Sequence, residues 1–324
     1  VILPADTTSW VVTDGKIGDE GQCLAIAEAL GLTPSVRRVA PRPPFSWAMP
    51  YGPIDPREAP SRPGSPIAPP FPDILIASGR RAIAYVRHVK RASRGRTFTV
   101  ILKDPRTGAG AADLIWVPAH DSLRGENVIA TLTSPHRITT ERLAAVRAAP
   151  PRFLADLTEP RAAVLVGGDS RHHRFTAEDI SRFADLLGEL AASGVSLMVT
   201  LSRRTPPALA EAVTKIVARA RGYIWDGQGD NPYIALLALA DSVVVTADSA
   251  NMVAEAAVTG VPILVYEPSG GHRKIKALLE GLTSAGAVRP FAGRLELGAY
   301  LPLNSTVTIA DAIVAAFKRY RSNL

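Results

Sequence analysis

Several short runs in this 324-residue chain gather residue types that handle phosphate, hydroxyl and proton chemistry, and each follows a stretch of apolar residues. The most specific is Thr246-Ala247-Asp248-Ser249-Ala250-Asn251-Met252-Val253-Ala254-Glu255, closing with Gly260-Val261-Pro262. A strand over 242–246 followed by a helix over 253–259 delivers Ser249 to a helix start, where unpaired N–H groups and the dipole favour an anion. Glu255 then offers a carboxylate to ribose hydroxyls. The plainer alternative is a capping Ser249 and a solvated Glu255. Gly167-Gly168-Asp169-Ser170 places two glycines after a strand, so backbone N–H groups can approach a ligand; an ordinary strand-to-helix turn has the same composition. Ser202-Arg203-Arg204 at another strand end suits a diphosphate, or is simply surface arginine. Tyr223-Ile224-Trp225-Asp226-Gly227 offers backbone groups and a ring to frame a nucleobase.

The elements that must position these turns follow from apolar runs and their punctuation. Strands are expected at 9–13, 33–40, 73–77, 98–102, 114–117 and 127–130, with a Gly-rich turn over 14–22 and helices over 23–30 and 79–94. Residues 41–72 are dense in proline and read as an irregular excursion. After Pro150-Pro151 the plan repeats. Strands at 162–166, 196–201, 222–225, 242–246 and 263–267 alternate with helices at 177–192, 207–220, 232–240, 253–259 and 273–281. A long helix over 309–321 ends the pattern. Alternating strands and helices predict an α/β protein of two Rossmann-like domains with parallel sheets facing a central cleft. The expected division is 1–150, 151–305 and a C-terminal helix at 306–324 that crosses back to the first domain.

Composition narrows the function. The single cysteine, Cys23, excludes a disulfide framework and Cys-rich zinc or iron–sulfur sites. No apolar run approaches the ~20 residues of a membrane span, and the start lacks a basic leader, so a cytoplasmic protein is expected. The net charge is +7, and the first 150 residues hold 19 Lys and Arg against 13 Asp and Glu. That half favours anionic partners, unless its charge is only a solvated helix face. Nucleic acid is not expected, since zinc-finger spacing and RNP-like aromatic strings are lacking. No Asp-x-Asp motif or compact His/Asp cluster suggests a metal, and the adjacent His172-His173 read as solvent-exposed. No Gly-x-Gly-x-x-Gly with a following acid marks a dinucleotide site.

Glu255-x4-Gly260-x-Pro262 resembles the donor-binding helix of GT-B glycosyltransferases, including the lipid-linked N-acetylglucosamine transferases of peptidoglycan synthesis. Gly18-Asp19-Glu20-Gly21-Gln22 before Ala25-Ile26-Ala27 resembles their N-domain loop. Thr13-Asp14-Gly15-Lys16-x-Gly18-x3-Gln22 together with the Thr246–Pro262 run is similar to the mitochondrial fission protein family. That family has plant members named for elongated mitochondria and many bacterial members. Val288-Arg289-Pro290-Phe291 also fits.

The resemblance implies a GT-B architecture and a metal-independent sugar transfer from a nucleoside-diphosphate sugar to a hydroxyl, with no separate cofactor. Its donor set is Gly167, Gly168, Ser202, Arg203, Arg204, Trp225, Asp248, Ser249, Asn251, Met252 and Glu255. Asp19 falls where the related transferases carry a loop histidine and is the expected general base, with Asp14 second. Asp14 equally suits a turn that bonds its own backbone. Gly15, Lys16, Gly18, Gln22, Gly79, Arg80 and Lys103 form the expected acceptor side. Its charge suits an anionic or lipid-linked acceptor, such as a lipopolysaccharide precursor, at the inner face of the plasma membrane, with any membrane contact peripheral and electrostatic. Two other readings share the scaffold: nucleotide-sugar epimerisation or hydrolysis, and a non-catalytic adaptor for a membrane or fission partner.

Overall fold

The computed structural model describes residues 2–220 and 222–324. The chain divides into two compact units, Val1–Arg137 with Asn304–Leu324, and Ile138–Leu303. In the first unit six strands, β1 (Ser9–Thr13), β2 (Ser35–Arg38), β3 (Ile74–Ser78), β4 (Phe98–Leu102), β5 (Leu114–Pro118) and β6 (Val128–Thr131), form one sheet in the order β2-β1-β3-β4-β5-β6. Every pairing is parallel. β1, β3 and β4 are buried along their whole length. Such strands read as continuous apolar runs because helices cover both faces. On one face α1 (Ile17–Ala29) and the C-terminal helix Ser305–Ser322 pack Ile26, Leu30, Ile313 and Phe317 against Val11, Ile76 and Phe98. The rings of Phe98 and Phe317 meet edge-on at 5.6 Å. On the other face α3 (Ala82–Ala92) is joined by the proline-rich excursion, which carries the four-residue helix α2 (Phe45–Ala48) and buries Met49, Ile54 and Ile67.

The second unit opens with α4 (Thr140–Ala148) and α5 (Arg152–Ala155). It continues with β7 (Arg161–Val166), β8 (His173–Arg174), α6 (Ala177–Ala192), β9 (Ser196–Leu201), α7 (Pro207–Arg219), β10 (Gly222–Ile224), α8 (Tyr233–Leu239), β11 (Ser242–Thr246), α9 (Ala250–Ala256), β12 (Ile263–Tyr266), β13 (Ser269–Gly270), α10 (Arg273–Ser284) and β14 (Val288–Pro290). Its sheet runs β10-β9-β7-β11-β12-β14, again with parallel pairings, and β8 and β13 form a separate antiparallel pair. The core joins Val164, Val166, Leu197, Val199, Val244 and Leu264 to Phe183 and Leu187 of α6. A capping box starts α6, with the Thr176 hydroxyl accepting from Asp179 N at 3.1 Å and the Asp179 carboxylate accepting from Thr176 N at 3.0 Å.

Three differences from expectation have local causes. The units part at 137/138 rather than at the proline pair, because α4 packs on α8, where Arg147 Nε donates to Ala238 O at 2.7 Å. The expected glycine-rich turn is only residues 14–16. α1 starts at Ile17, and Asp19 and Glu20 in its first turn suit the positive end of the helix dipole. His173 is buried and paired with Gly270 in the β8–β13 ribbon. His172 alone is exposed, stacked on His272 at 4.3 Å.

Both sheets turn back on themselves beside their first strand. The chain leaves β1 for β2 on one side and returns to β3 on the other; it leaves β7 for β9 and β10 and returns to β11. Connections at the carboxyl ends of such a pair diverge and leave a crevice, the usual place for a ligand in open parallel sheets.

Candidate functional site

At the second unit's reversal point, the turns after β7, β9 and β11 are tied together by Asp248, whose side chain has 0% exposure. Its Oδ2 accepts from Gly168 N at 3.0 Å and from Arg204 Nη2 at 3.0 Å. Its Oδ1 accepts from Thr246 Oγ1 at 2.7 Å. Thr246 Oγ1 in turn accepts from Gly167 N at 2.7 Å, and Thr205 Oγ1 donates to Gly167 O at 2.5 Å. Arg204 Nη1 donates to Asp169 O at 3.0 Å, and the Ser202 hydroxyl accepts from Arg204 N at 3.0 Å. The two glycines are therefore required for a reason other than the expected one. Their N–H groups are spent inside the protein. A Cβ on Gly167 would lie 2.1 Å from Asp248 Oδ1, and one on Gly168 would lie 2.0 Å from Arg204 O. Asp248 is a clamp between turns rather than a group facing a ligand. Arg203 is exposed and makes no hydrogen bond or ion pair among the described residues.

Beyond the clamp, Ser249 caps α9, its hydroxyl accepting from Met252 N at 3.4 Å. α9 spans only two turns, so its dipole is small. Asn251 is exposed and Met252 half-buried at its start. Glu255 is not a solvated charge. Its Oε2 accepts from the Tyr233 hydroxyl of α8 at 2.7 Å. Burial raises its pKa above the ordinary glutamate value, opposed by the Tyr233 hydrogen bond. Tyr233 carries no signal in the sequence, since it sits in an ordinary helical pattern. Trp225 is half-buried, with Nε1 donating to Gln228 O at 2.9 Å.

The first unit's reversal point gathers carboxylates and two lysines. The Asp14 side chain is buried in the turn after β1, with Oδ2 accepting from Lys16 Nζ at 3.0 Å and Oδ1 without a hydrogen-bond partner among the described residues. On the first turn of α1, Asp19 Oδ1 accepts from Lys103 Nζ at 2.5 Å. Its Oδ2 makes no hydrogen bond among the described residues and lies 3.4 Å from where a Gly79 Cβ would sit; Asp14 Oδ1 lies 3.2 Å from the same point. Gly79 at φ +96 thus brings β3's end against both acids. Gly15 at φ +81 makes the turn. Gly18 and Gln22 lie on α1, Gln22 buried. Arg80 faces elsewhere, donating to Met49 O at 2.7 Å and Ser46 O at 3.1 Å. Sequence reasoning missed the Glu20–Arg38 pair, with contacts of 2.7 and 2.8 Å; Thr13 Oγ1 donates to the same Glu20 at 3.1 Å. The Arg38 hydrogen bond is the largest influence lowering the Glu20 pKa.

A family profile described as mitochondrial fission ELM1 matches residues 17–317. The chain belongs to that family. It is similar to the mitochondrial fission protein ELM1 of Arabidopsis thaliana, 29% identical over 269 residues, which covers 75% of this chain and 63% of that protein's length. The fold is that of GT-B enzymes. Similar solved structures include a UDP-N-acetylglucosamine 2-epimerase, so described as a candidate, from Listeria monocytogenes, with a TM-score of 0.56, 13% identity and 98% of each chain covered. Another is Arabidopsis thaliana UGT89C1 complexed with UDP, with a TM-score of 0.52, 13% identity, and 96% of this chain and 99% of that chain covered. Residues 246–262, inside the matched span, include both Asp248 and Glu255.

Proposed function

We propose that this member of the ELM1 family transfers a sugar from a nucleoside-diphosphate sugar to the hydroxyl of an anionic or lipid-linked acceptor. The observation that carries the reading is Asp19. Lys103 fixes one of its oxygens at 2.5 Å, and the other has no hydrogen-bond partner among the described residues, at the reversal point of the first sheet. A general base needs this combination of a fixed orientation and a free lone pair. Asp19 takes the proton of the attacking hydroxyl, Lys103 positions Asp19, and the anomeric carbon is attacked as the diphosphate leaves. In the second unit, Arg203 pairs with the diphosphate and Glu255 accepts from the ribose. Asp248 and Arg204 hold the turns that present them. The UDP carried by a protein of the same fold supports a nucleotide donor.

Asp19→Asn removes the base and leaves the second unit untouched. Turnover of a UDP-, GDP-, CMP- or ADP-sugar panel falls by about 100-fold or more, while donor affinity, read by thermal shift, is retained. An active Asp19→Asn enzyme takes the base role away from Asp19.

A second reading is favoured by the internal use of the Gly167 and Gly168 N–H groups, which leaves fewer donors for a diphosphate. In that reading the fold serves as a non-catalytic adaptor. It expects no donor to raise the melting temperature, and Glu255→Ala to leave partner binding intact. Epimerisation or hydrolysis is separated from both by turnover without any acceptor.

A further inference from the structure

The proline-rich excursion of the first unit ends at solvent in two aromatic rings, Trp47 at 74% exposure and Tyr51 at 69%. They lie one turn apart, on α2 and the turn that follows it, where Tyr51 N donates to Ala48 O at 3.0 Å. The rings are held out by a rigid base. Ser46 and Met49, on either side of Trp47 in the chain, are buried, and Met49 packs into the core beneath α3. Arg80 takes the carbonyls of Ser46 and Met49, Arg87 takes those of Pro50 and Tyr51 at 2.6 and 3.3 Å, and the Tyr51 hydroxyl donates to Arg106 O at 3.1 Å. Two guanidinium groups, those of Arg80 and Arg87, thus lie against the backbone that carries the rings. Between residues 40 and 110 the chain carries twelve Lys and Arg against four Asp and Glu. All four acids are engaged internally: Asp55 with Arg42 at 3.0 Å, Glu58 with Tyr85 and Ala40 N, Asp73 with Thr8 and Arg321, and Asp104 with Arg106 N at 2.8 Å.

The structure assigns this edge to the interfacial layer of an anionic bilayer. Trp and Tyr with guanidinium groups beside them make up the composition favoured at headgroup depth, where the rings are half apolar and half hydrogen-bonding. Nearby arginines add attraction to anionic lipid. Two rings are too little area for a stable protein interface, which needs about 800 Å² per partner. The residues that hold this edge are also neighbours in the chain of the candidate acceptor side. Arg80 directly follows Gly79, which touches Asp14 and Asp19, and Arg106 lies three residues beyond Lys103. A lipid-borne hydroxyl held at this edge is presented to Asp19. That last step rests on the proposed glycosyl transfer; the surface itself does not.

The test is sedimentation of the full chain with vesicles of phosphatidylcholine alone and of phosphatidylcholine with phosphatidylglycerol. The native protein binds only the anionic vesicles, and binding weakens as salt rises. Trp47→Ala with Tyr51→Ala lowers the partition coefficient by about ten-fold or more, and Arg106→Ala alone lowers it by about five-fold. The emission contributed by Trp47, read as native minus Trp47→Phe, shifts to the blue on vesicle binding. Because both rings are exposed, the double variant keeps the native melting temperature and the native donor affinity. Equal binding by the double variant, an unshifted Trp47 signal, no binding to anionic vesicles, or binding to a mixed-sequence oligonucleotide in their place each overturns the assignment. Loss of vesicle binding with intact turnover on a soluble acceptor would sever the membrane from the chemistry. Loss of turnover with intact vesicle binding would do the reverse.

Discussion

The Asp248 clamp makes a prediction that two single substitutions and their combination decide. Asp248→Ala leaves the Gly168 N–H buried without an acceptor and strips Thr246 Oγ1 of its own acceptor. An unsatisfied buried N–H costs about 1–3 kcal/mol. The Arg204 contact adds little, because that side chain is 45% exposed and returns to water. The total is about 3 kcal/mol. Gly167→Ala brings a methyl to 2.1 Å from Asp248 Oδ1 and 2.5 Å from its Cγ, an overpacking of about 1–3 kcal/mol. In the double variant the methyl enters the space the carboxylate has left, and the clash is gone. Its cost is therefore below the sum of the single costs by about 2 kcal/mol. Urea unfolding followed by circular dichroism, with the transition of the second unit fitted separately, measures all four proteins. Costs that add to within about 0.5 kcal/mol would refute the argument, since independent sites behave that way.

Gly168→Ala is expected to behave differently. Its methyl meets Arg204 O at 2.0 Å, and no side-chain deletion moves a backbone oxygen, so the loss in urea midpoint persists in an Arg204→Ala background. Glu255→Gln tests burial of a carboxyl. The folded-state pKa of Glu255 lies above the ordinary 4.5, so the native protein binds more protons folded than unfolded in that window. Its stability is highest below the unfolded pKa and declines as pH rises through the folded one. The glutamine variant lacks this decline. Its midpoint therefore gains on the native one from about pH 4.5 toward neutrality, and parallel midpoints across that range contradict the shift.

Much of the sheet was legible because fully buried parallel strands leave unbroken apolar runs. The runs at 9–13, 98–102, 196–201 and 242–246 coincide with β1, β4, β9 and β11. β14 was missed, since Val288-Arg289-Pro290 is exposed at two of its three positions. Helix starts were less legible. Gly18 and Gly21 suggested a loop, yet α1 runs through both, and the acids of its first turn were the better guide. The turns that meet at the second unit's reversal point stood out in the sequence, but their contacts did not. Gly167, Gly168 and Asp248 stood out by type, and nothing in their spacing says that a carboxylate 80 residues away takes the Gly168 N–H. Tyr233 and Arg38 gave no signal because they act only through partners brought by the fold.

The joining of three turns through one carboxylate also restricts how the crevice wall can diverge. Gly168, Arg204 and Asp248 come from separate strand ends, with 80 residues between the first and last and 44 between the last two. A larger residue at 168, or a longer or neutral side chain at 248, disturbs a neighbour that itself holds another turn. Gly168 meets a backbone oxygen and so cannot drift by side-chain compensation, whereas Gly167 meets the Asp248 side chain, so positions 167 and 248 should vary together among homologues. Arg203, bound to none of them, is the position that can change without dismantling the wall.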